Sequence, residues 1–477
     1  MPDHRLTKSD FLDYRACAKA LWLKKLKSHV VDWPAPTEFD RLLMADGYAV
    51  EDEVKRLVST WPDAGACSFQ REFETDQGMF ARADLVRDLG ENNVDLWEVK
   101  ASTSLRPSGS DHVVDAAFQT LVAERSGATV RSIGIIHVNK DYVRAGEIDP
   151  RSLLIIRDVT DEVRDRMPEI ENDVDAALAL LAAAKIDETS CTCILKSKNQ
   201  HCVPFSYFNR DVPTPSIYDL PRLSAKRREA FVAEGRFGLD QIKLEEVTAS
   251  QQPVLEAMQR GSEVVDLPGI QAFLEALEYP LYFYDYETFG SAIPIADGQR
   301  PHEQIPVQVS VHRLDADGSL THSELLTERP GMQSEVTEFL RRDIGEAGHL
   351  LSWNASFETS CNRRLSRLVP DQAGFLSGLN ERTRDLMDVF KRSYVHPAFG
   401  GSTSIKKVLP VLCPDLRYDQ DSVHDGAGAM EAWKALTVAE NEKARTALRE
   451  ALLSYCKLDT LAMVEIFSTL QKLISSR

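Results

Sequence analysis

The stretch that decides the fold is residues 279–290, which read Y-P-L-Y-F-Y-D-Y-E-T-F-G. Residues 281–284 are apolar and aromatic, which is the composition of a buried strand. Asp285 and Glu287 follow two positions apart, so on a strand both carboxylates emerge on one face at its end. Two like charges this close repel unless a cation lies between them, and a divalent metal ion is the usual partner. The stretch therefore predicts a metal site, and a solvated strand end before a glycine turn is the alternative.

Two later stretches supply further candidate residues. Residues 350–358 read L-L-S-W-N-A-S-F-E, which predicts a short strand, a polar turn and a helix that carries Glu358. Residues 455–459 read Y-C-K-L-D inside an amphipathic helix predicted at about 443–473. Tyr455 and Asp459 are four positions apart and share one helix face. The C-terminal part thus places several acids at the ends or on the faces of regular elements.

These stretches, D-x-E, then N-x-x-F-acid, then Y-x-x-x-D in a C-terminal helix, resemble the three motifs of the DEDDy exonucleases over about residues 270–477. The resemblance implies a ribonuclease H-like fold and a 3′–5′ exonuclease that uses two Mg²⁺ or Mn²⁺ ions. Tyr455 would orient the attacking water. The metal ligands that it implies are Asp285, Glu287, Glu358 and Asp459.

The second motif departs from the family, whose usual residue there is Asp. Glu358 is one methylene longer, and Mg²⁺ demands near-ideal octahedral geometry. We expect a shift of metal preference towards Mn²⁺, a lower rate or a degenerate site. Asn354 is a candidate for a substrate contact or for the chain turn beside the metals. Lys406 and Lys407 follow a glycine- and serine-rich loop and are candidates for binding a phosphate; a plain helix cap is the alternative.

Length and composition set limits on the rest. The chain has 477 residues, which predicts two domains or more. There is no run of uninterrupted apolar residues long enough to span a membrane, and residues 1–10 lack a signal-peptide core, so we expect a cytoplasmic protein that is not in a membrane. The net charge of -18 argues against a protein that coats nucleic acid, but it is compatible with a nuclease that binds through local basic patches.

The N-terminal half shows a helix, hairpin, strand and helix pattern. Thr7 is predicted to cap the first helix, with Asp10 three residues on. Strand signals at 67–74 and 79–87 flank a D-Q-G turn, which predicts a hairpin. A third strand is predicted at 94–100, and helix and strand signals alternate after it.

Four residues in this half form a second candidate site. Asp84, then Glu98-Val99-Lys100, then Gln119 on the following helix, resemble the RecB-like branch of the PD-(D/E)XK nucleases. The resemblance implies that Asp84 and Glu98 hold a divalent metal ion that polarises the phosphate and lowers the pKa of its water. Lys100 would stabilise the developing charge, and Gln119 would orient the site.

Eight cysteines in so long a chain do not form a disulfide framework, and a cluster of them suggests a metal. In the RecB-like branch some members bind an iron–sulfur cluster through one cysteine before the nuclease core and three after it. Carried over, the ligands of a [4Fe–4S] cluster would be Cys17, Cys191, Cys193 and Cys202. A zinc site that uses His201 and thiols without metal are the open alternatives. The other cysteines, Cys456 among them, are expected in the core or at the surface.

The sequence thus predicts an α/β protein in which a PD-(D/E)XK restriction-endonuclease-like domain precedes a ribonuclease H-like DEDD domain. The predicted boundaries are 1–205, a helical connector at 206–267, and 268–477. This arrangement resembles a bacterial two-domain family of unsettled function. It implies a metal-dependent nuclease acting on DNA with single-stranded ends, in DNA repair or defence. A nucleic-acid-binding scaffold with one or both heads inactive is the alternative.

Overall fold

We analysed a computed structural model of the chain, which describes residues 5–106, 111–417 and 423–476. The chain divides into two compact units. Unit 1 comprises Met1–Asp211 and Ser291–His302, and unit 2 comprises Val212–Gly290 and Glu303–Arg477. The predicted connector, 206–267, is not separate in this division, because most of it lies in unit 2. Among the described helices, none combines the length and apolar character that a membrane span requires.

Unit 1 contains six strands and six α-helices within its described residues. The strands are β1 Leu6–Thr7, β2 Cys67–Glu74, β3 Met79–Gly90, β4 Asn93–Lys100, β5 Thr129–Val138 and β6 Leu154–Asp158. The helices are α1 Lys8–Leu26, α2 Glu38–Val58, α3 His112–Arg125, α4 Pro150–Leu153, α5 Thr160–Ala182 and α6 Phe205–Phe208.

The sheet of unit 1 is open and mixed, with the order β1-β3-β4-β5-β6 and with β2 also paired to β3. Strand β3 runs antiparallel to β2 and β4 and parallel to the short β1. Strands β4 and β5 are parallel, and β6 returns antiparallel. Apolar side chains of β3 and β4 pack with helices α1, α3 and α5 in one core. The central strand β4 carries Glu98 and Lys100 at its end.

Unit 2 contains seven strands and ten α-helices within its described residues. The strands are β7 Val264–Val265, β8 Leu281–Phe289, β9 Ile305–Leu314, β10 Leu320–Leu326, β11 His349–Ser352, β12 Thr383–Asp385 and β13 Tyr394–Val395. The helices are α7 Ala225–Ala233, α8 Gln252–Arg260, α9 Leu267–Glu275, α10 Gln333–Asp343, α11 Ser356–Leu368, α12 Ala373–Arg382, α13 Met387–Arg392, α14 Ile405–Leu412, α15 Gly426–Val438 and α16 Glu442–Ser475.

The main sheet of unit 2 has the order β10-β9-β8-β11-β12, and β7 pairs separately with β13. The first three strands of the chain in this sheet are antiparallel neighbours, and β11 and β12 are parallel to β8. Both sheets are mixed and both units carry helices beside them, which confirms the α/β class that the sequence predicts. Strand β8 is central, so the residues along it are covered on both faces.

Candidate functional site

Side chains alternate between the two faces of β8, and this alternation places its acids on the face that packs against α16. Leu281 and Phe283 lie in a core with residues of α16, whereas Tyr282 and Tyr284 lie in a second core with α10, α11 and α12. Asp285 continues the first set, since side chains two apart share a face. The sequence predicts that the acids lie at the end of the strand, and this prediction is wrong. The strand runs on to Phe289 because β9 pairs with it over its whole length, with an irregularity after Glu287.

Asp285, Glu287 and Cys456 form a group whose ligand atoms all lie within 4.8 Å of one another. The thiol of Cys456 lies 3.8 Å from the Asp285 carbonyl oxygen and 3.9 Å from its Oδ2. The sequence predicts Cys456 as an ordinary core or surface residue. It is fully buried, but it lies beside the acids. It follows Tyr455 directly on α16, so the motif that identified Tyr455 could have drawn attention to it.

Burial and mutual repulsion make this group unusual. Burial raises the pKa of Asp285 well above its ordinary value, and the charge of Asp459 raises it further. The pKa of Glu287 is raised in the same way, first by burial and then by Asp459. The structure therefore brings the two β8 acids into electrostatic contact with Asp459 of α16, as the motifs required. Without a cation, burial and repulsion therefore favour the protonated forms of these carboxyls.

Glu358 completes the acidic group from the first turn of α11. Its side chain is 1% exposed, and its Oε2 has no hydrogen-bond partner among the described residues. Burial raises its pKa to about 8. The charge of Glu358 in turn raises the pKa of Asp285. A buried carboxylate oxygen without a donor needs a cation or a proton, so the group fits one or more divalent ions, to which such oxygens are the preferred ligands.

Two groups outside the predicted ligand set act on Glu287. Lys406, in the first turn of α14, lowers its pKa, and Asp425, which caps α15, raises it. Lys406 also lies 3.4 Å from the hydroxyl of Tyr455 and donates to the carbonyl of His424. The sequence analysis named Lys406 as a phosphate contact and did not name Asp425.

The remaining two predicted contacts of unit 2 are less engaged with the acids. Asn354 lies in the turn between β11 and α11 with a φ of 73°, where its Oδ1 accepts from the Ser356 hydroxyl at 2.9 Å and its N–H donates to Asp385 at 3.0 Å. This geometry agrees with a role in the chain turn. The side chain of Lys407 is exposed on α14. A substrate contact for either residue stays a prediction.

In unit 1 the acid Glu98 is buried among cations. Its Oε1 accepts from Lys8 at 2.6 Å and lies 2.7 Å from Lys100, and its Oε2 accepts from Gln119. Burial alone raises the pKa of Glu98, but Lys100 and Lys8 outweigh it and lower the pKa to about 2. The predicted residues Glu98, Lys100 and Gln119 are thus brought together.

Lys8 is a residue of this site that sequence analysis missed. It is the first residue of α1, and Thr7 and Asp10 fix that end of the helix with the predicted capping box. The side chain reaches Glu98 from 90 positions away in the chain. A lysine just after a helix cap is common, so no local signal marks it.

Asp84 and Asp115 complete the surroundings of Glu98. Asp84 accepts from the backbone N–H of Val99 at 2.8 Å. Burial, and then the charge of Glu98, raise the pKa of Asp84 to about 7. Asp115, which was also missed, pairs with Lys100. Asp84 is therefore the acid of this site that best fits an added cation, since both oxygens of Glu98 already accept from side chains.

The four predicted cysteines of unit 1 form one group. Their Sγ atoms all lie within 4.8 Å of one another, and those of Cys191 and Cys202 are 3.8 Å apart. Helix α1 breaks at Cys17, whose φ of -162° and ψ of 101° are extended. A hydrogen bond from Cys17 lowers the pKa of Cys193 to about 7. The group brings one helix and one later segment to a single point, as a metal site does.

His201 is not a member of this group. Its ring stacks on Phe205 with centroids 3.5 Å apart, and its Nε2 lies 3.2 Å from the Lys196 carbonyl oxygen. The zinc alternative that used His201 as a ligand is therefore not the arrangement found among the described residues, where the ligand set consists of four cysteines.

Two comparisons with known proteins add one match. A search of curated proteins finds none that matches the chain. Residues 282–404 match the family model of a domain of unknown function, DUF2779. The matched segment includes Asp285, Glu287 and Glu358 and ends before Tyr455 and Asp459. Part of unit 2, about a quarter of the chain, is thus similar to the DUF2779 domain.

Proposed function

We propose that the chain is a metal-dependent nuclease that hydrolyses phosphodiester bonds of nucleic acid. Unit 2 would be a 3′–5′ exonuclease with a ribonuclease H-like fold, and unit 1 a DNA nuclease of the PD-(D/E)XK type. The observation that carries the proposal is the acidic group of unit 2, in which ligand atoms of Asp285 and Glu287 lie within 4.8 Å of each other and a buried oxygen of Glu358 has no hydrogen-bond partner among the described residues. Such acids are suited to binding divalent cations, and DNA with single-stranded ends is the substrate we propose.

The order of the main sheet in unit 2 supports this assignment. Strands β8, β9 and β10 are antiparallel neighbours, and β11 and β12 follow parallel to β8. The acids lie on β8, the central strand of the sheet, and face helix α16. Asp285, Glu287, Glu358 and Asp459 would hold Mg²⁺ or Mn²⁺. When bound, the ions would stabilise charge on the attacking and leaving oxygens and activate a water.

Tyr455 is suited to orient the reactants. Its ring is buried, and Lys406 lies close enough to donate to its hydroxyl oxygen. The hydroxyl would orient a water or a phosphate oxygen beside the acids. Lys406 itself lies with its ammonium 5.4 Å from the Tyr455 ring centroid, so the cation and the hydroxyl form one unit beside the acids.

In unit 1, Lys8 and Lys100, which both contact Glu98, would also bind a phosphate of the substrate. Both ammonium groups point at one carboxylate oxygen, so an incoming phosphate would find two cations already placed. Asp84, with its raised pKa, would hold the metal together with Glu98. We propose DNA repair or defence against foreign DNA as the setting, on the resemblance to RecB-like nucleases.

One observation favours a second candidate function for unit 1. Both oxygens of Glu98 accept from side chains of this chain, which satisfies the acid without an added ion. Unit 1 would then bind nucleic acid without cutting it and would present strands to unit 2. In unit 2, Glu358 stands where the DEDDy motif usually has Asp. If unit 2 were inactive for this reason, the whole chain would be a nucleic-acid-binding scaffold without activity.

The test is digestion of 5′-end-labelled single-stranded DNA by anaerobically purified full-length protein, first with Mn²⁺ and then with Mg²⁺. Wild type runs beside Glu287→Ala and Lys100→Ala. The control substitutions are Glu335→Ala and Lys55→Ala, which change an exposed acid of α10 and an exposed lysine of α2. Asp84→Asn accompanies Lys100→Ala, because it leaves the Glu98 ion pairs intact.

Each outcome assigns the activity. Shortening from the 3′ end that is lost in Glu287→Ala and kept in both controls places the exonuclease in unit 2. Activity lost in Lys100→Ala and in Asp84→Asn makes unit 1 an enzyme as well. If neither metal supports cleavage while the strand is still bound in a gel-shift assay, the nuclease proposal is wrong and the scaffold replaces it.

A further inference from the structure

The cysteine group of unit 1 does not fit the cluster that the resemblance implies. In a [4Fe–4S] cluster each thiolate binds a different corner iron, which sets the four Sγ atoms roughly 6 Å apart. The Sγ atoms here all lie within 4.8 Å of one another. A cluster of that size would require the cysteines to move apart, and they lie on a helix and a segment joined by other contacts.

A single tetrahedral ion fits the same four atoms. A Zn–S bond of about 2.3 Å and tetrahedral angles place the sulfur atoms about 3.8 Å apart. The Sγ atoms of Cys191 and Cys202 are 3.8 Å apart. We propose that the four cysteines bind one Zn²⁺ ion in a structural site rather than an iron–sulfur cluster.

The surroundings of the group support a closed structural site. Asn209, which is 5% exposed, donates from its Nδ2 to Cys191 Sγ at 3.3 Å. Its Oδ1 accepts from the Ser190 hydroxyl at 3.0 Å, which fixes the orientation of the amide. Donors of this kind stabilise metal-bound thiolates. The buried rings of Trp22 and Phe208 belong to the same cluster and exclude water, and an open ligand position, which catalytic zinc needs, is absent from a set of four thiolates.

The site lies where α1 breaks, and this gives the ion a role. At Cys17 the helix leaves its regular path, and the Ala16 carbonyl accepts from Lys196 of the cysteine segment at 2.6 Å. The part of α1 before the break begins with Lys8, which contacts Glu98. The zinc ion would therefore hold the break in α1 and, through it, the position of Lys8 in the acidic site of unit 1.

Metal analysis of the full-length protein, purified anaerobically without chelator, tests the proposal first. After dialysis to remove weakly held ions, we expect about one zinc ion per chain, no acid-labile sulfide and a colourless solution. About four irons with matching sulfide and a broad absorbance near 400 nm would overturn the proposal. A protein that retains no metal under these conditions would overturn it equally.

Substitutions assign the ion to these cysteines. Protein grown with Co²⁺ should show the intense visible bands of a tetrahedral thiolate site, and Cys193→Ser should lose most of that intensity. Cys67→Ser, a partly exposed cysteine of the same unit, should keep it. Cys456→Ser should keep it too, which excludes the acidic group of unit 2 as the source. Bands that survive Cys193→Ser but disappear in Cys456→Ser would contradict the assignment.

Hydrogen exchange then tests the role in α1. In Cys193→Ser, or after zinc removal, exchange in Lys8–Leu26 should rise several-fold, while exchange in β8 stays unchanged. If zinc is bound but its loss leaves α1 protected, the ion would not hold the break as we propose. This result would leave the nuclease proposal untouched, because that proposal depends on substitutions at Glu287 and Lys100.

Discussion

In unit 1 the buried Glu98 lies between two lysines, whereas in unit 2 the half-buried Asp285 and the buried Glu287 lie beside other acids. The first arrangement lowers the pKa of its acid to about 2, and the second raises the pKa of both of its acids. Glu98 and Glu287 are both buried carboxylates on a central strand of a mixed sheet, so the difference comes from their partners. It shows that burial alone does not determine the charge of such an acid.

The two sites differ in whether they need cations from solution to balance the charge of their acids. Unit 1 supplies its own cations, and Asp84 is the acid there with a raised pKa. In unit 2, Lys406 lowers the pKa of Glu287, but Asp459 and Asp425 act in the opposite direction. Full ionisation of the unit 2 group therefore requires added positive charge. We expect unit 2 to respond to divalent ions more strongly than unit 1.

The largest effect should follow from removing an internal cation. Lys100→Met leaves Glu98 with Lys8 as its remaining ion-pair partner and takes the ammonium from Asp115. Breaking a buried ion pair in this way should lower the free energy of unfolding by roughly 3 kcal/mol. Lys55→Met, which removes an exposed partner of Glu51 and Asp52, should cost at most about 1 kcal/mol.

Hydrogen exchange of β4 in denaturant measures the change within unit 1 alone. If Lys100→Met destabilises β4 no more than Lys55→Met does, Glu98 is not held by its lysines and the contrast between the two units disappears.

Neutralising one acid in each unit should have opposite effects. Glu98→Gln leaves two lysines facing an amide and should destabilise unit 1, whereas Asp285→Asn removes repulsion and should stabilise metal-free unit 2. We expect about 1–3 kcal/mol in each direction at pH 8. Exchange of β4 and β8 in the presence of EDTA reports on the two units separately. Two changes of the same sign would show that the acids differ less than their surroundings suggest.

The pH dependence of metal-free unit 2 follows from the raised pKa values. A carboxyl whose pKa is raised by folding stabilises the native state below its ordinary pKa, and this contribution is lost as the pH rises through the raised value. For Glu358 that value is about 8. Unit 2 should therefore lose roughly 3 kcal/mol between pH 5 and pH 8 in EDTA, and Mn²⁺ should reduce the loss.

At acid pH the stability of unit 1 should change with pH in the opposite direction to that of unit 2. The contribution of Glu98 is present above the ordinary pKa of a glutamate and is lost as the pH falls towards about 2. Asp84 has the opposite sign, because its contribution is lost as the pH rises from its ordinary pKa to about 7. Exchange of β4 and β8 measured from about pH 2 to pH 8 therefore distinguishes the two profiles below about pH 4, where the loss of the Glu98 contribution is confined to unit 1. A flat profile for β8 in EDTA would contradict the raised pKa values.

Local patterns predicted most of the elements and part of each site. The period of two along β8 placed Asp285 and Glu287 on one face, and the helical period placed Tyr455 beside Asp459. The alternation of elements predicted the α/β class. These predictions succeed because they depend on residues only a few positions apart.

What the sequence did not predict depends on distant pairing. Lys8 reaches Glu98 across 90 positions, and no short pattern connects them. Strand β8 extends past its acids because β9 continues to pair with it. Cys456 occupies an unspecified position of the Y-x-x-x-D motif, which does not predict that its thiol lies 3.8 Å from the Asp285 carbonyl oxygen. In each case the partner is set by the tertiary fold.

The smallest expected effect concerns the length of one side chain. Glu358→Asp shortens the side chain by one methylene and draws the carboxylate back towards α11. Aspartate is the residue that the resemblance to DEDDy exonucleases leads us to expect at this position. Since Mg²⁺ tolerates less distortion than Mn²⁺, the ratio of kcat/KM in Mg²⁺ to that in Mn²⁺ should rise a few-fold, which corresponds to roughly 1 kcal/mol. Glu381→Asp, an exposed residue of α12, is the matched control and should leave the ratio unchanged. A ratio that falls in Glu358→Asp would mean that the longer side chain is the better fit, and that unit 2 is adapted to glutamate at this position.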